Sequence, residues 1–234
     1  MKYFFAFFLL LFFISGRAQR VVDVDNPSYN NASLFFVEDG VPYSLGKYVR
    51  VVEGTPFFNE RWMRATLILS KWRRIDSILV RIDMLANELH YIDKKGNILV
   101  ASTPVSEAFL TDSLTNEKFH FINAEVNSGL GFTGKGWYQM ISGGPTVLLK
   151  MYEKVVSENT TIGKSTKEQT IATFPKYAVL HNKKLYEIKK ISNIPGILDD
   201  KKIELENYIR TNKLNGKKEG DYVDLVTYYN RSAN

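Results

Sequence analysis

From Gly46 to Lys190 apolar residues recur at every second position in short runs, each closed by a cluster of Gly, Pro, Asn, Asp or Lys. Period two puts successive side chains on opposite faces of an extended chain, so this stretch buries a face only as β-sheet. Ile78, Val80, Ile82 and Met84 share one face while Arg81 and Asp83 fall on the other, which predicts a half-buried antiparallel strand over Ile75–Leu85. Tyr48–Val52, Trp62–Leu69, Val105–Leu110 and Phe119–Val126 read as further strands, rich in aromatic and β-branched residues. Three hairpins are legible from their turns: Lys94-Lys95-Gly96-Asn97, Ser142-Gly143-Gly144-Pro145 and His181-Asn182-Lys183-Lys184. Residues 127–136 hold four glycines and read as irregular, and residues 157–170 read as a polar loop.

Beyond Lys190 the period changes. Leu205, Tyr208 and Ile209 sit at helical spacing, Asn215-Gly216 marks a stop, and Tyr222, Leu225, Val226 and Tyr229 form a second stripe. Each stripe must be covered, most simply by the sheet. The expected fold is α+β, mostly β: an antiparallel meander and hairpin sheet over 46–190, with a C-terminal antiparallel helix pair over 191–234 packed on it. No repeat of 20 to 50 residues interrupts this plan; a split near residue 172 is the lesser alternative.

The first eighteen residues constrain the address. Lys2 is followed by an unbroken apolar run from Phe4 to Ile14, and Gly16 and Ala18 place small residues before a cut between Ala18 and Gln19. That is the layout of a secretory signal peptide, with a run too short for a membrane span of about 20 residues. Residues 19–45 form a polar, turn-rich lead, expected to be flexible, with one short apolar stretch at Leu34–Val37. The expected location is periplasm, outer-membrane periphery or extracellular space, with no transmembrane span in the mature chain. The chain contains no cysteine, which excludes disulfides, thiol catalysis, thiolate metal sites and a lipid-modified cysteine.

A net charge of +6 and a pI near 9.2 invite a nucleic-acid reading, but the distribution argues against it. Cleavage would lower the charge to +4, and the remaining surplus lies in residues 150–234, with 16 basic against 11 acidic side chains. Lys183, Lys184, Lys189, Lys190, Lys201, Lys202, Lys217 and Lys218 occur in pairs near acids, without the interleaved arginines of a nucleic-acid face. A solubilising surface is the preferred reading, and adhesion to an acidic envelope polymer or lipid surface is the alternative.

Three stretches, GTPFFNERWMRATLIL (54–69), GWYQMISGGPTVLLKMYEK (136–154) and KKIELENYIRTNKLNGKKEGDYVDLVTYYN (201–230), together resemble a group of uncharacterised secreted and envelope proteins of Bacteroidota. The resemblance implies an envelope address and the domain plan above, and it carries no catalytic residue. That group often has an Asp-Gly turn where this chain has Ser70-Lys71-Trp72, so that hairpin is expected to differ.

Candidate chemistry is sparse. Gly163-Lys164-Ser165-Thr166 ends like a phosphate loop, yet Glu158 stands where its first glycine belongs. Ser128 and Ser142 lack a G-x-S-x-G frame, and a triad of Ser128, His120 and Asp112 has no support from spacing. Asp23-Val24-Asp25-Asn26 opens like a calcium loop without its glycine or distal glutamate, and His90, His120 and His181 lie in three separate segments. Glu60, Asp76, Asp83 and Glu88 could supply paired carboxylates but read as the solvent face of the meander. Trp72, Arg73 and Arg74 form a possible interaction surface, whereas Trp137 reads as core. No cofactor is implied. By elimination the chain reads as a non-enzymatic exported envelope interaction module, with an envelope protein or glycan as partner. A glycan or small-ligand binder, and then a hydrolase built from distant carboxylates, are the alternatives.

Overall fold

The computed structural model describes residues 40–42, 48, 50–70, 73–160 and 167–232. The signal peptide with its Ala18–Gln19 cut, the Asp23–Asn26 stretch, the Leu34–Val37 strand, Trp72 and the Gly163–Thr166 loop lie outside these residues.

Among the described residues the strands form one mostly antiparallel sheet, with a helical C-terminal tail. They are β1 (Gly40–Pro42), β2 (Val51–Gly54), β3 (Met63–Leu69), β4 (Arg74–Asp83), β5 (Glu88–Ile92), β6 (Ile98–Ala101), β7 (Val105–Thr111), β8 (Lys118–Asn123), β9 (Trp137–Ser142), β10 (Thr146–Thr160), β11 (Lys167–His181) and β12 (Lys184–Ile188). Their spatial order is β1-β6-β5-β4-β3-β7-β8-β9-β10-β11-β12, and β2 pairs in parallel with β11. A one-turn helix α1 (Ile194–Ile197) precedes α2 (Lys202–Thr211) and α3 (Glu219–Ser232).

The turns follow from side chains that replace backbone partners. Asp93 accepts hydrogen bonds from the backbone N–H groups of Lys95 and Asn97 at 2.8 and 2.7 Å, which closes the β5–β6 hairpin. Asp112 does the same between β7 and β8, accepting from Leu114 N–H at 2.9 Å and pairing with Arg61.

Three apolar clusters hold the molecule together. The first joins Met63, Ala65, Leu67 and Leu69 of β3 to Val80 and Ile82 of β4, Tyr91 of β5, Leu110 of β7 and Trp137 of β9. Phe58 enters it from the segment before β3, edge-on to Phe119, Phe121 and Tyr152 at 4.8 to 5.1 Å between ring centres. The second lies under the helices: Leu148, Val179 and Ile188 of the sheet meet Ile194, Leu205, Leu225, Val226 and Tyr229. The third, on the opposite face, closes Ile122, Tyr138, Leu149 and Ala178 under Phe132 of the glycine-rich loop.

The helices run antiparallel, because the start of α2 meets the end of α3. Lys201 Nζ donates to the Ser232 carbonyl, Tyr228 donates to Glu204 at 2.7 Å, and Tyr208 stacks on Tyr228. Asn230 fastens α3 to the β9–β10 turn: its Oδ1 accepts from Thr146 N–H at 3.0 Å, and its Nδ2 donates to the Thr146 carbonyl at 2.8 Å. Gly144 has φ of +132°, and a Cβ there would lie 2.6 Å from Asn230 Nδ2, so this turn requires glycine.

The expected α+β plan is therefore observed, with three differences in detail. The polar stretch 157–170 is largely strand: β10 and β11 pair from Thr146–His181 out to Thr160–Lys167. The strand expected at Tyr48–Val52 is Val51–Gly54, and its pairing is parallel. Asp83, expected on the solvent face, is fully buried. The segment before β3 runs beside the end of β4, with Phe57 forming a bridge to Asp83.

Candidate functional site

Among the described residues, the surface formed by β11, β12 and the loop entering α3 is a candidate for binding. It is a groove of about 440 Å³, larger than clefts of about 230 and 180 Å³ elsewhere. Tyr177 of β11 and Tyr222 of α3 stack in it, 4.4 Å between ring centres and 18° apart. Lys176, Lys189, Lys217 and Lys218 rim it together with Glu187, and Glu153, Glu219 and Asp221 lie beside it.

Local chemistry explains why this groove is stiff. Asp221 Oδ2 accepts from the N–H groups of Asn215 and Gly216 at 3.0 and 2.8 Å, and Asn215 Oδ1 accepts from Lys217 N–H at 2.9 Å. These bonds lock the loop that carries Lys217 and Lys218. Gly216 adopts φ of +72°, and a Cβ there would come within 2.9 Å of the Tyr222 hydroxyl. Glycine is thus required by both the left-handed backbone and the closeness of the Tyr222 hydroxyl.

The electrostatics favour an anion. Lys176 is engaged with Glu153 at 2.8 Å, and Lys150 with Glu219 at 2.6 Å. Lys189, Lys217 and Lys218 form no ion pair among the described residues. Burial pushes the Tyr177 hydroxyl up to about 12, aided by Glu219, which accepts a hydrogen bond from it at 3.2 Å. Burial likewise raises Tyr222. The tyrosine floor therefore stays neutral and adds no negative charge at any physiological pH.

A second cluster, Asp83, Glu88 and His90, places three metal-ligating atoms within 4.8 Å of one another. Their present partners account for them structurally. Asp83 accepts from the N–H groups of Leu85 and Ala86 at 3.0 and 2.8 Å, capping the β4–β5 turn, and from the Tyr48 hydroxyl. His90 sits opposite Arg81 in the β4–β5 register, with Glu88 at 3.2 Å from its Nε2. The Arg81 guanidinium lies over the rings of Phe57 and Trp62, at 3.5 and 4.6 Å. A cation here would face that fixed positive charge. Burial holds the His90 imidazole below its ordinary range, so the ring is neutral near pH 7.

The remaining sequence candidates are dispersed. Arg74 Nε donates to Asp76 at 2.8 and 3.0 Å, and Asp76 also accepts from Thr66; Arg73 is half-buried. His120 pairs with Glu107 at 2.6 Å and stacks on Phe109, Asp112 is held by Arg61, and Ser128 opens a 3-10 turn. The triad drawn from them is not assembled. His181 Nδ1 lies 2.7 Å from Thr146 Oγ1, and Ser142 Oγ is buried at the end of β9. Trp137 is buried in the first cluster. The carboxyls whose titration clearly moves are Asp76, Asp93 and Asp112, all lowered by hydrogen bonds, led by Thr66, Asn97 and Leu114 respectively. A general acid needs the opposite shift.

Sequence reading missed the groove. Lys176 with Tyr177, Lys189, and Lys217 with Tyr222 lie on three separate segments, and only tertiary packing joins them. The available signal was the single adjacent pair Lys176-Tyr177.

Comparison with known protein families, curated proteins and solved structures finds no match. The functional reading therefore stands on the geometry of this chain.

Proposed function

We propose that the mature chain is a non-enzymatic binding module of the bacterial cell envelope, which holds an acidic polysaccharide in the Tyr177–Tyr222 groove. The observation that carries this reading is the meeting, around a neutral stacked tyrosine pair, of three lysines that form no ion pair among the described residues. Aromatic faces accept the apolar side of a sugar ring, and rim ammonium groups accept its carboxylates or sulfates. The locked loop lowers the entropy cost of ordering Lys217 and Lys218 on binding. An export signal over Met1–Ala18 and the resemblance to Bacteroidota envelope proteins support the compartment.

Dextran sulfate and uncharged dextran share one backbone and so separate charge recognition from generic sugar stickiness. The mature protein should bind the sulfated polymer and not the neutral one. Each exposed ion pair contributes about 0.2–1 kcal/mol, so changing Lys189, Lys217 and Lys218 to Gln should weaken binding roughly threefold to a hundredfold. The Lys201→Gln/Lys202→Gln variant, altered at the foot of α2, should bind as the parent does. Equal loss in both variants would overturn the assignment of the groove.

A further inference from the structure

The sheet leaves one long edge open. β9 pairs with β10 only from Leu148 to Met151, whereas β11 accompanies β10 to Thr160. Among the described residues, therefore, the nine residues from Tyr152 to Thr160 have no strand on the β9 side. Residues 152–154 are half-buried and border a cleft lined by Met84, Leu85 and Asn87, and exposure begins at Val155. At about 3.3 Å per residue this edge is roughly 30 Å long. Val155 and Val156 on it, and Phe174 across on β11, are 42, 37 and 51 % exposed.

The other outer edges are shorter, β2 with four residues among them. β1 has three residues and ends in Pro42, which lacks an N–H donor. β12 has five residues and is bracketed by Lys183 with Lys184 and by Lys189 with Lys190. The β10 edge is longer and has no proline, and its charges are Glu153, Lys154 and Glu158.

Its sequence, YEKVVSENT, fits itself. A two-fold axis normal to the sheet places one residue opposite its own copy and keeps both copies facing the same way. Centred on Lys154 it opposes two ammonium groups. Centred on Val155 it sets Glu158 against Tyr152, and centred on Ser157 it sets Glu158 against Val156. Centred on Val156 it opposes valine to valine and Lys154 to the Glu158 of the other copy, twice, on a single face. Within the hairpin Lys154 Nζ donates to Thr173 at 2.9 Å and Glu158 accepts from Gln169 at 3.0 Å, so pairing across the edge requires both side chains to turn from β11. Lys154 has no ion pair among the described residues.

We propose that two copies of this chain associate edge to edge through residues 152–160 of β10, antiparallel and in the register centred on Val156, continuing the sheet from one protomer into the next. This inference is independent of the groove. Opposite charges placed directly across an antiparallel pair stabilise it, and like charges oppose it, so the register is testable by exchange.

The cysteine-free chain allows a direct reading of the register. In the proposed dimer the two Val156 Cα atoms lie about 4.5–5.5 Å apart, within disulfide range. The two Glu158 Cα atoms are displaced by about four residues, more than 10 Å apart and outside it. Under mild oxidation Val156→Cys should form a covalent dimer and Glu158→Cys should not. By sedimentation the parent mature protein should dimerise, and Glu158→Lys should raise the dimer dissociation constant at least tenfold. The Lys154→Glu/Glu158→Lys double exchange should restore association, with circular dichroism confirming the fold of each variant. A parent that stays monomeric at about 100 μM, failure of the exchange to restore pairing, or equal cross-linking from both cysteines would overturn the proposal.

Discussion

Replacing Asn230 by Ala tests how the helix pair is fixed to the sheet. The side chain satisfies two backbone groups of Thr146, a fully buried residue, and also reaches the Gly143 carbonyl at 3.3 Å. Each buried backbone group left without a partner costs about 1–3 kcal/mol. Because the vacated site borders solvent, water can recover part of that, and the net loss should be about 2–3 kcal/mol. A change of 1 kcal/mol moves Tm by about 2–4 °C in a protein this size, so Tm should fall by about 4–12 °C. Gly144→Ala completes a cycle. Alone it costs backbone strain of about 1 kcal/mol or more at φ of +132°, plus the clash of the new Cβ with Asn230 Nδ2. In the Asn230→Ala background the clash is relieved, so the double variant should lose less than the sum by at least about 0.5 kcal/mol. Urea unfolding of the four proteins measures this. An Asn230→Ala loss below about 0.5 kcal/mol, or strict additivity, would refute the turn-to-helix link.

Leu225→Ala removes a fully buried side chain from the cluster under the helices and should cost about 2–5 kcal/mol by urea denaturation. The His90 imidazole is held below its ordinary range by burial, so the unfolded chain takes up a proton before the folded one does. Stability from this site should be fully present above pH about 6.5 and should decline as pH falls from there toward the folded-state value. His90→Gln should flatten that slope in stability measured between pH 7.5 and 5, and a slope unchanged by the substitution would sink the assignment.

The legibility of this fold in its sequence differs from element to element. Ile78, Val80, Ile82 and Met84 are all buried, because period two on a strand with one core face has a single solution. Tyr222, Leu225, Val226 and Tyr229 are likewise buried together, since one helical stripe had to meet the sheet. The outer half of the β10–β11 hairpin escaped notice because Ser157, Glu158 and Asn159 lie beyond the core, where no burial imposes alternation. Asp83 has the pattern of a solvent-facing residue, and its burial depends on Phe57 and Tyr48 arriving from a distant segment. The groove was hidden for the same reason. Paired surface lysines look alike in sequence, and those flanking Tyr177 and Tyr222 differ from Lys201 and Lys202 only in what packing brings beside them.

Backbone amide shifts of the 15N-labelled mature protein, titrated with a short sulfated oligosaccharide, would locate binding residue by residue. Proposed binding in the groove requires the largest changes at Lys189, Gly216, Lys217, Lys218 and Tyr222, fading as salt is raised to 0.5 M. Shifts spread evenly over Lys183, Lys184, Lys201 and Lys202, or none in the groove, would contradict it.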